Sequence, residues 1–144
     1  NIREYNFIII GKDHNDGVSK LIQNQGLKNL TLIDNVKDNE LKRFFSNANI
    51  YCQLSRQEGF GVALAESIAC GCVPVVSKMG SIPEVAGPNA FYIDENRNPE
   101  EIKKTMSIAE HYSTKKRRID AERIVEMFNP SKREKILIKL MNRL

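Results

Sequence analysis

Short apolar runs alternate along this chain with amphipathic stretches, and that alternation restricts the fold more than any other feature. Asn6-Phe7-Ile8-Ile9-Ile10 is an unbroken apolar run that closes on Gly11. Thr31-Leu32-Ile33-Asp34, Asn49-Ile50-Tyr51-Cys52-Gln53-Leu54, Val73-Pro74-Val75-Val76-Ser77 and Ala90-Phe91-Tyr92-Ile93 repeat the pattern. Runs of this kind suit strands of a sheet covered on both faces. Between them lie helix patterns. Asp16 or Ser19 caps a helix carrying Val18, Leu21 and Ile22, and Asp38 caps one with Leu41, Phe44 and Phe45 on a face. Asn98-Pro99-Glu100-Glu101 reads as cap, first-turn proline and acidic first turn for a helix burying Ile102, Met106 and Ile108 or Ala109. Ser113 or Thr114 opens another, with Ile119, Ile124, Val125 and Phe128. Asn129-Pro130 starts the last, through Ile136, Leu137, Leu140 and Leu144. Alternating β and α at this spacing predicts an α/β fold: a Rossmann-like parallel sheet with right-handed crossovers and helices on both faces. Ligands of such sheets sit at the carboxyl ends of the strands.

The 144 residues fit one domain, and 22 basic against 18 acidic residues leave a net charge of +4. That charge accommodates an anionic ligand and equally a plain soluble domain. Cys52, Cys70 and Cys72 form no CxxC and lie in apolar or Ala/Gly-rich company. Buried reduced thiols are expected, with no metal site and no disulfide framework. A reducing, cytoplasmic compartment follows from that expectation. The sequence holds no apolar run long enough for a membrane span, and it begins at Asn1 without a methionine, as an excised piece would.

The chemistry is concentrated in the segment from Ser55 to Gly71, which follows the third strand. Gly59 and Gly61 flank Phe60, so the backbone can bend sharply and a ligand can come close. A helix then begins, and its first N–H groups have no intrahelical partner, which favours a phosphate or a sugar hydroxyl. Glu58 precedes this helix and Glu66 lies within it. Eight helical residues rise about 12 Å, so the two carboxylates face one side at long range. A paired acid/base site needs about 5–9.5 Å, so the spacing suits gripping two ends of an extended ligand instead. The plain alternatives are a helix-dipole acid for Glu58 and a solvated helix residue for Glu66. Against the second, Val62, Ala63, Ala65, Ile68, Ala69 and Cys70 make the helix apolar nearly all round, as a buried helix is.

Gln57-Glu58-Gly59-Phe60-Gly61, Leu64-Ala65-Glu66-Ser67-Ile68-Ala69-Cys70-Gly71, Val73-Pro74-Val75-Val76-Ser77 and Gly80-Ser81-Ile82-Pro83-Glu84-Val85 resemble, in order and spacing, the Glu-x7-Glu signature of retaining GT-B glycosyltransferases. The segments around Phe7 to Gly11 and Leu32 to Leu41 resemble that family's glycine-turn strand and nucleobase loop more weakly. The resemblance implies the C-terminal, donor-binding half of a GT-B fold lacking its first strand-helix unit. It therefore lacks the Arg and Lys that unit places on the diphosphate, and the N-terminal acceptor domain too. It implies Glu58 on the donor sugar as the candidate catalytic residue, and Phe60 and Gly61 on the sugar through backbone N–H groups, with Gly59 beside them. It implies Val62 and Ala63 amides near the phosphates, Glu66 on the ribose and Val36 beside the base. The donor would be a UDP- or GDP-sugar, and the acceptor a glycan, lipid or small molecule held by the other domain. No metal or other cofactor and no nucleic acid is expected. The inner face of a membrane joins the cytoplasm as a location, and a sheet edge left open by the absent unit would suit a homodimer. By this reading the fragment is inactive alone. The other readings are a GT-B nucleotide-sugar epimerase and a non-catalytic α/β binding module.

Met79-Gly80-Ser81 and Asp34-Asn35 depart from the family's glycines. Pro83-Glu84 reads as a helix start, His14 and His111 as surface residues, and Lys115-Lys116-Arg117-Arg118 as a solvated helix face.

Overall fold

A computed structural model describes residues 5–94 and 98–141, without the side chains of Arg133, Ile136, Leu137, Lys139 and Leu140. The core positions read at Ile136, Leu137, Leu140 and Leu144 thus lie outside the described residues. The elements alternate as the sequence predicts: β1 (Phe7–Ile10), α1 (Gly17–Gln25), β2 (Leu30–Ile33), α2 (Asp38–Asn47), β3 (Ile50–Gln53), α3 (Val62–Ala69), β4 (Val73–Ser77), α4 (Ile82–Ala86), β5 (Phe91–Ile93), α5 (Pro99–Ala109), α6 (Thr114–Met127) and α7 (Pro130–Met141). All described pairings are parallel, but the strands form two sheets, β1-β2 and β3-β4-β5. The chain divides accordingly into two compact units, residues 1–43 and 44–144.

In the first unit Phe7 pairs with Leu30 and Ile10 with Ile33. α1 has Asp16 at its N-cap position, yet the side chain of Asp16 makes no cap bond. Asp13 supplies it, accepting from the N–H groups of Ser19 at 2.8 Å and Val18 at 3.3 Å. Those bonds, Ser19's first, hold the Asp13 carboxyl below its ordinary range. Gly26 ends α1 in the left-handed conformation, and the N–H of Leu27 closes on the carbonyl of Ile22. The start of α2 also differs from the sequence reading. Asp38 is inside the helix, and the N–H of Lys37 donates to the Glu40 carboxylate at 3.1 Å.

In the second unit β4 is the middle strand, with Ile50↔Val73 and Gln53↔Val76 on one side and Val75↔Phe91 and Ser77↔Ile93 on the other. Every residue of β4 is buried. Successive side chains of a strand point to opposite faces, so β4 is covered on both. The core joins Leu64, Ala65 and Ile68 of α3 to Val76, to Ile82, Val85 and Ala86 of α4, and to Ile124 of α6. α6 is pinned by polar contacts. Arg123 donates to the last carbonyls of α4, Val85 and Ala86, at 2.7 and 2.8 Å. The buried Asp120 accepts from Asn89 and from the Tyr112 hydroxyl, each at 2.9 Å. Asn98 and Ser113 cap α5 and α6 with their side chains. Of the alternatives Ile108 and Ala109, α5 buries Ala109, while the positions expected along α6 at Ile119, Val125 and Phe128 are exposed. α6 turns Asp120 and Ile124 inward, four residues apart, and the other apolar side chains fall off that face. The cysteine expectation is corrected as well, because only Cys72 is buried, while Cys52 is exposed and Cys70 intermediate. Cys52 lies on the opposite side of β3 from its strand neighbours Tyr51 and Gln53.

Candidate functional site

The loop from the end of β3 to the start of α3 carries the site. It is tied down from three directions. The buried Ser77 hydroxyl at the end of β4 donates to the carbonyl of Ser55 at 2.7 Å. Gly80, with φ +53°, packs its α-carbon against the backbone of Glu58, so that a β-carbon there would collide with the Glu58 carbonyl oxygen. The Phe60 ring meets the Phe128 ring edge-on at a centroid distance of 5.4 Å. These contacts fix the path of the loop before any side chain of the site is considered.

Within the loop Glu58 is partly buried. Its Oε2 accepts from Gln53 Nε2 at 2.6 Å and its Oε1 from the N–H of Gly61 at 3.2 Å. Gly61 occupies the N-cap position of α3 with φ 80° and has no side chain to cap with. Glu58, three residues earlier, instead accepts from the N–H of that position, which places a carboxylate at the amino end of α3. It uses about two of the roughly four lone-pair positions of a carboxylate and leaves the others available. The Gly61 N–H is thus engaged with Glu58. The N–H groups of Val62 and Ala63, in the first turn of α3, have no carbonyl within the helix to bond.

Glu66 corrects the reading of a helix buried nearly all round. α3 buries Leu64, Ala65, Ser67 and Ile68, while Val62, Glu66 and Ala69 are exposed. Those three positions follow the spacing of one helix face. Together with Phe60, Met127, Phe128 and Pro130 they line an open, mostly apolar trough. Burial therefore does not by itself demand a partner for Glu66. Gly59 and Phe60 are exposed as well. Val36 belongs to the first unit, half-buried in the loop between β2 and α2.

Three contributors escaped the sequence reading: Gln53, Ser77 and Gly80. Gln53 had a visible signal, being a polar residue at the carboxyl end of an otherwise buried-type strand. Most residues read as ordinary behave so: Pro83 and Glu84 open α4, His14 and His111 are exposed, and Lys115, Lys116 and Arg118 are solvated. Arg117 is the correction to the solvated basic run, being half-buried and donating to the carbonyls of Tyr112, Asn49 and Glu110. Among the described residues no three His, Cys, Asp or Glu side chains converge as a metal site would require, and no helix is long and apolar enough to cross a membrane.

The family described as glycosyl transferases group 1 matches residues 1–124. The chain is similar to MMP alpha-(1->4)-mannosyltransferase of Mycolicibacterium hassiacum, 33% identical over 76 residues that make up 52% of this chain and 18% of that protein. It is similar to GDP-mannose:cellobiosyl-diphosphopolyprenol alpha-mannosyltransferase of Xanthomonas oryzae pv. oryzae, 26% identical over 99 residues, 66% of this chain and 26% of the relative. It is also similar to O-antigen chain mannosyltransferase B of Escherichia coli, 34% identical over 61 residues, 42% of this chain and 16% of the relative. The matched stretch thus spans at most 26% of the length of any of these three.

Proposed function

The chain belongs to the group 1 glycosyl transferases, and from that premise we propose that it is the donor-binding half of an enzyme that transfers a sugar from a nucleotide diphosphate with retention at the anomeric carbon. The observation that carries the reading is the Glu58 carboxylate, held at the carboxyl end of β3 and the amino end of α3 with half its bonding capacity in use. A sugar hydroxyl can donate to the remaining lone pairs. The first N–H groups of α3, at Val62 and Ala63, would meet the diphosphate, where the positive end of a helix stabilises negative charge. That charge grows on the leaving diphosphate during transfer, so preorganised donors there lower the barrier. Phe60 and Gly59 would line the sugar, with Gly61 shaping the turn. Glu66 would take the ribose hydroxyls.

Mannose is the sugar we favour, because the similar proteins are mannosyltransferases and one carries GDP-mannose in its name. The acceptor, a glycan or lipid-linked sugar, would be held by a partner domain, and the reading uses no metal.

Thermal melting with GDP, UDP and ADP, repeated on Glu66→Ala, tests the donor reading. A rise in melting temperature with one nucleotide, abolished in Glu66→Ala, is expected, and a hundredfold excess over Kd stabilises by about 2.7 kcal/mol. A melting temperature that none of the three nucleotides moves would sink it.

A further inference from the structure

We propose that Gln53 is a positioning residue that sets the orientation of the Glu58 carboxylate, and that Tyr51 anchors Gln53 in place. The inference rests on Glu58 being the sugar ligand. Gln53 Nε2 donates to Glu58 Oε2 at 2.6 Å, and the Tyr51 hydroxyl donates to Gln53 Oε1 at 3.3 Å. A primary amide has a donor end and an acceptor end of nearly the same shape. Only the donor end suits a carboxylate. Turning the amide over would break the bond to Glu58 and set the amide's carbonyl oxygen against a carboxylate oxygen, so the carboxylate selects the donor end while the Tyr51 hydroxyl anchors the other. Tyr51 and Gln53 are alternate residues of β3, so the pleat presents both on one face, and pairing with Pro74 and Val76 of β4 fixes their places.

The tyrosine is itself immobilised. The buried Phe45 ring meets its ring edge-on at 5.7 Å. Burial, reinforced by the charge of Glu58, pushes the phenol up to about 12, so it remains a donor throughout the physiological range. The result is a line of donors, Tyr51 to Gln53 to Glu58, that ends on one carboxylate oxygen while the Gly61 N–H takes the other. Two fixed bonds in different directions define the carboxylate plane. The lone pairs left over then point in set directions, which suits hydroxyls of one sugar stereochemistry better than another. A glutamate able to rotate would still accept hydroxyls, but without that discrimination.

Calorimetric titration of the chain with GDP-mannose and GDP, and with UDP-glucose and UDP as a second pair, tests this. Gln53→Met keeps the side-chain length and removes the donor. It should weaken binding of the nucleotide sugar about tenfold and leave the bare nucleotide about unchanged. Tyr51→Phe should have the same signature at about threefold. Gln53→Glu places a second carboxylate beside Glu58, and such a pair binds a shared proton. Its sugar-nucleotide affinity should therefore recover as pH falls from about 8 to about 5, while Gln53→Met remains weak throughout. A merely space-filling Gln53 would give no such pH dependence. Equal loss of nucleotide and nucleotide sugar in Gln53→Met, or no loss of either, overturns the positioning role while leaving the donor site standing. A wild-type chain that binds none of the four overturns the donor reading, and this inference with it.

Discussion

β1–α1–β2 and β3–α3–β4 are both parallel strand pairs joined by a crossover helix, and they differ in what covers them. In the first no residue of α1 is buried, and Ile8 and Ile9 of β1 are 51% and 40% exposed. In the second every residue of β4 is buried, and Leu64 and Ile68 of α3 are at 0%. The strands are equally apolar in sequence. The difference lies in neighbours, since α3 packs on α4 and α6 as well as on its strands, and β4 has a strand on either side. Burial is thus concentrated in the unit that carries Glu58.

Core truncation should break the comparison most visibly. Leu64→Ala is expected to cost about 3 kcal/mol of unfolding free energy, against about 0.5 kcal/mol or less for Leu21→Ala in α1, as read by denaturant titration. Two left-handed glycines sharpen it further. Gly26 has φ +60° with no atom near its missing side chain, so Gly26→Ala should cost about 1 kcal/mol. Gly80→Ala adds a collision with the Glu58 carbonyl to about 1–3 kcal/mol of backbone strain, and it should also abolish nucleotide-sugar binding. Ser77→Ala, which removes the Ser77 bond to the Ser55 carbonyl, should cost about 1 kcal/mol and weaken nucleotide-sugar binding measurably by calorimetry.

The pH response is the mildest contrast. Tyr51 and Tyr112 are both pushed up to about 12 from 10.0, chiefly by burial, with Glu58 and Asp120 adding to it respectively. A raised folded value means stability complete below pH 10.0 and lost as pH climbs toward about 12. Asp13 is lowered from 3.8, so its contribution is present above that value and lost as pH falls through the folded one. Tryptophan being absent, backbone circular dichroism against pH should show the Tyr51→Phe variant less sensitive at the alkaline end and Asp13→Asn less sensitive at the acid end.

The alternation of strands and helices was legible because apolar runs and caps are local. The Pro99 and Ser113 helix starts were read from two or three residues each. Burial was less legible because it depends on partners far away in sequence. Nothing near Ile119 or Val125 says that α6 turns Asp120 inward, since the reason is Asn89, 31 residues earlier. The apolar surroundings of Glu66 suggested a buried helix, yet α3 has one open face, which only its packing against α6 and α4 decides. The turn through Gly59 and Gly61 into α3 was legible from spacing. Gln53 offered only its polarity at a strand end, because its contact depends on the register of β3, and Gly80 offered no local sign of its contact, which is with backbone 22 residues away.

The central claim is that the turn from Glu58 into α3 receives the donor. Amide hydrogen exchange, read residue by residue by NMR with and without saturating GDP-mannose, addresses it directly. The account predicts slowed exchange at Val62 and Ala63, whose N–H groups have no acceptor within the helix, with α1 unchanged. Binding that is established by calorimetry but leaves those two amides as fast as before would contradict it.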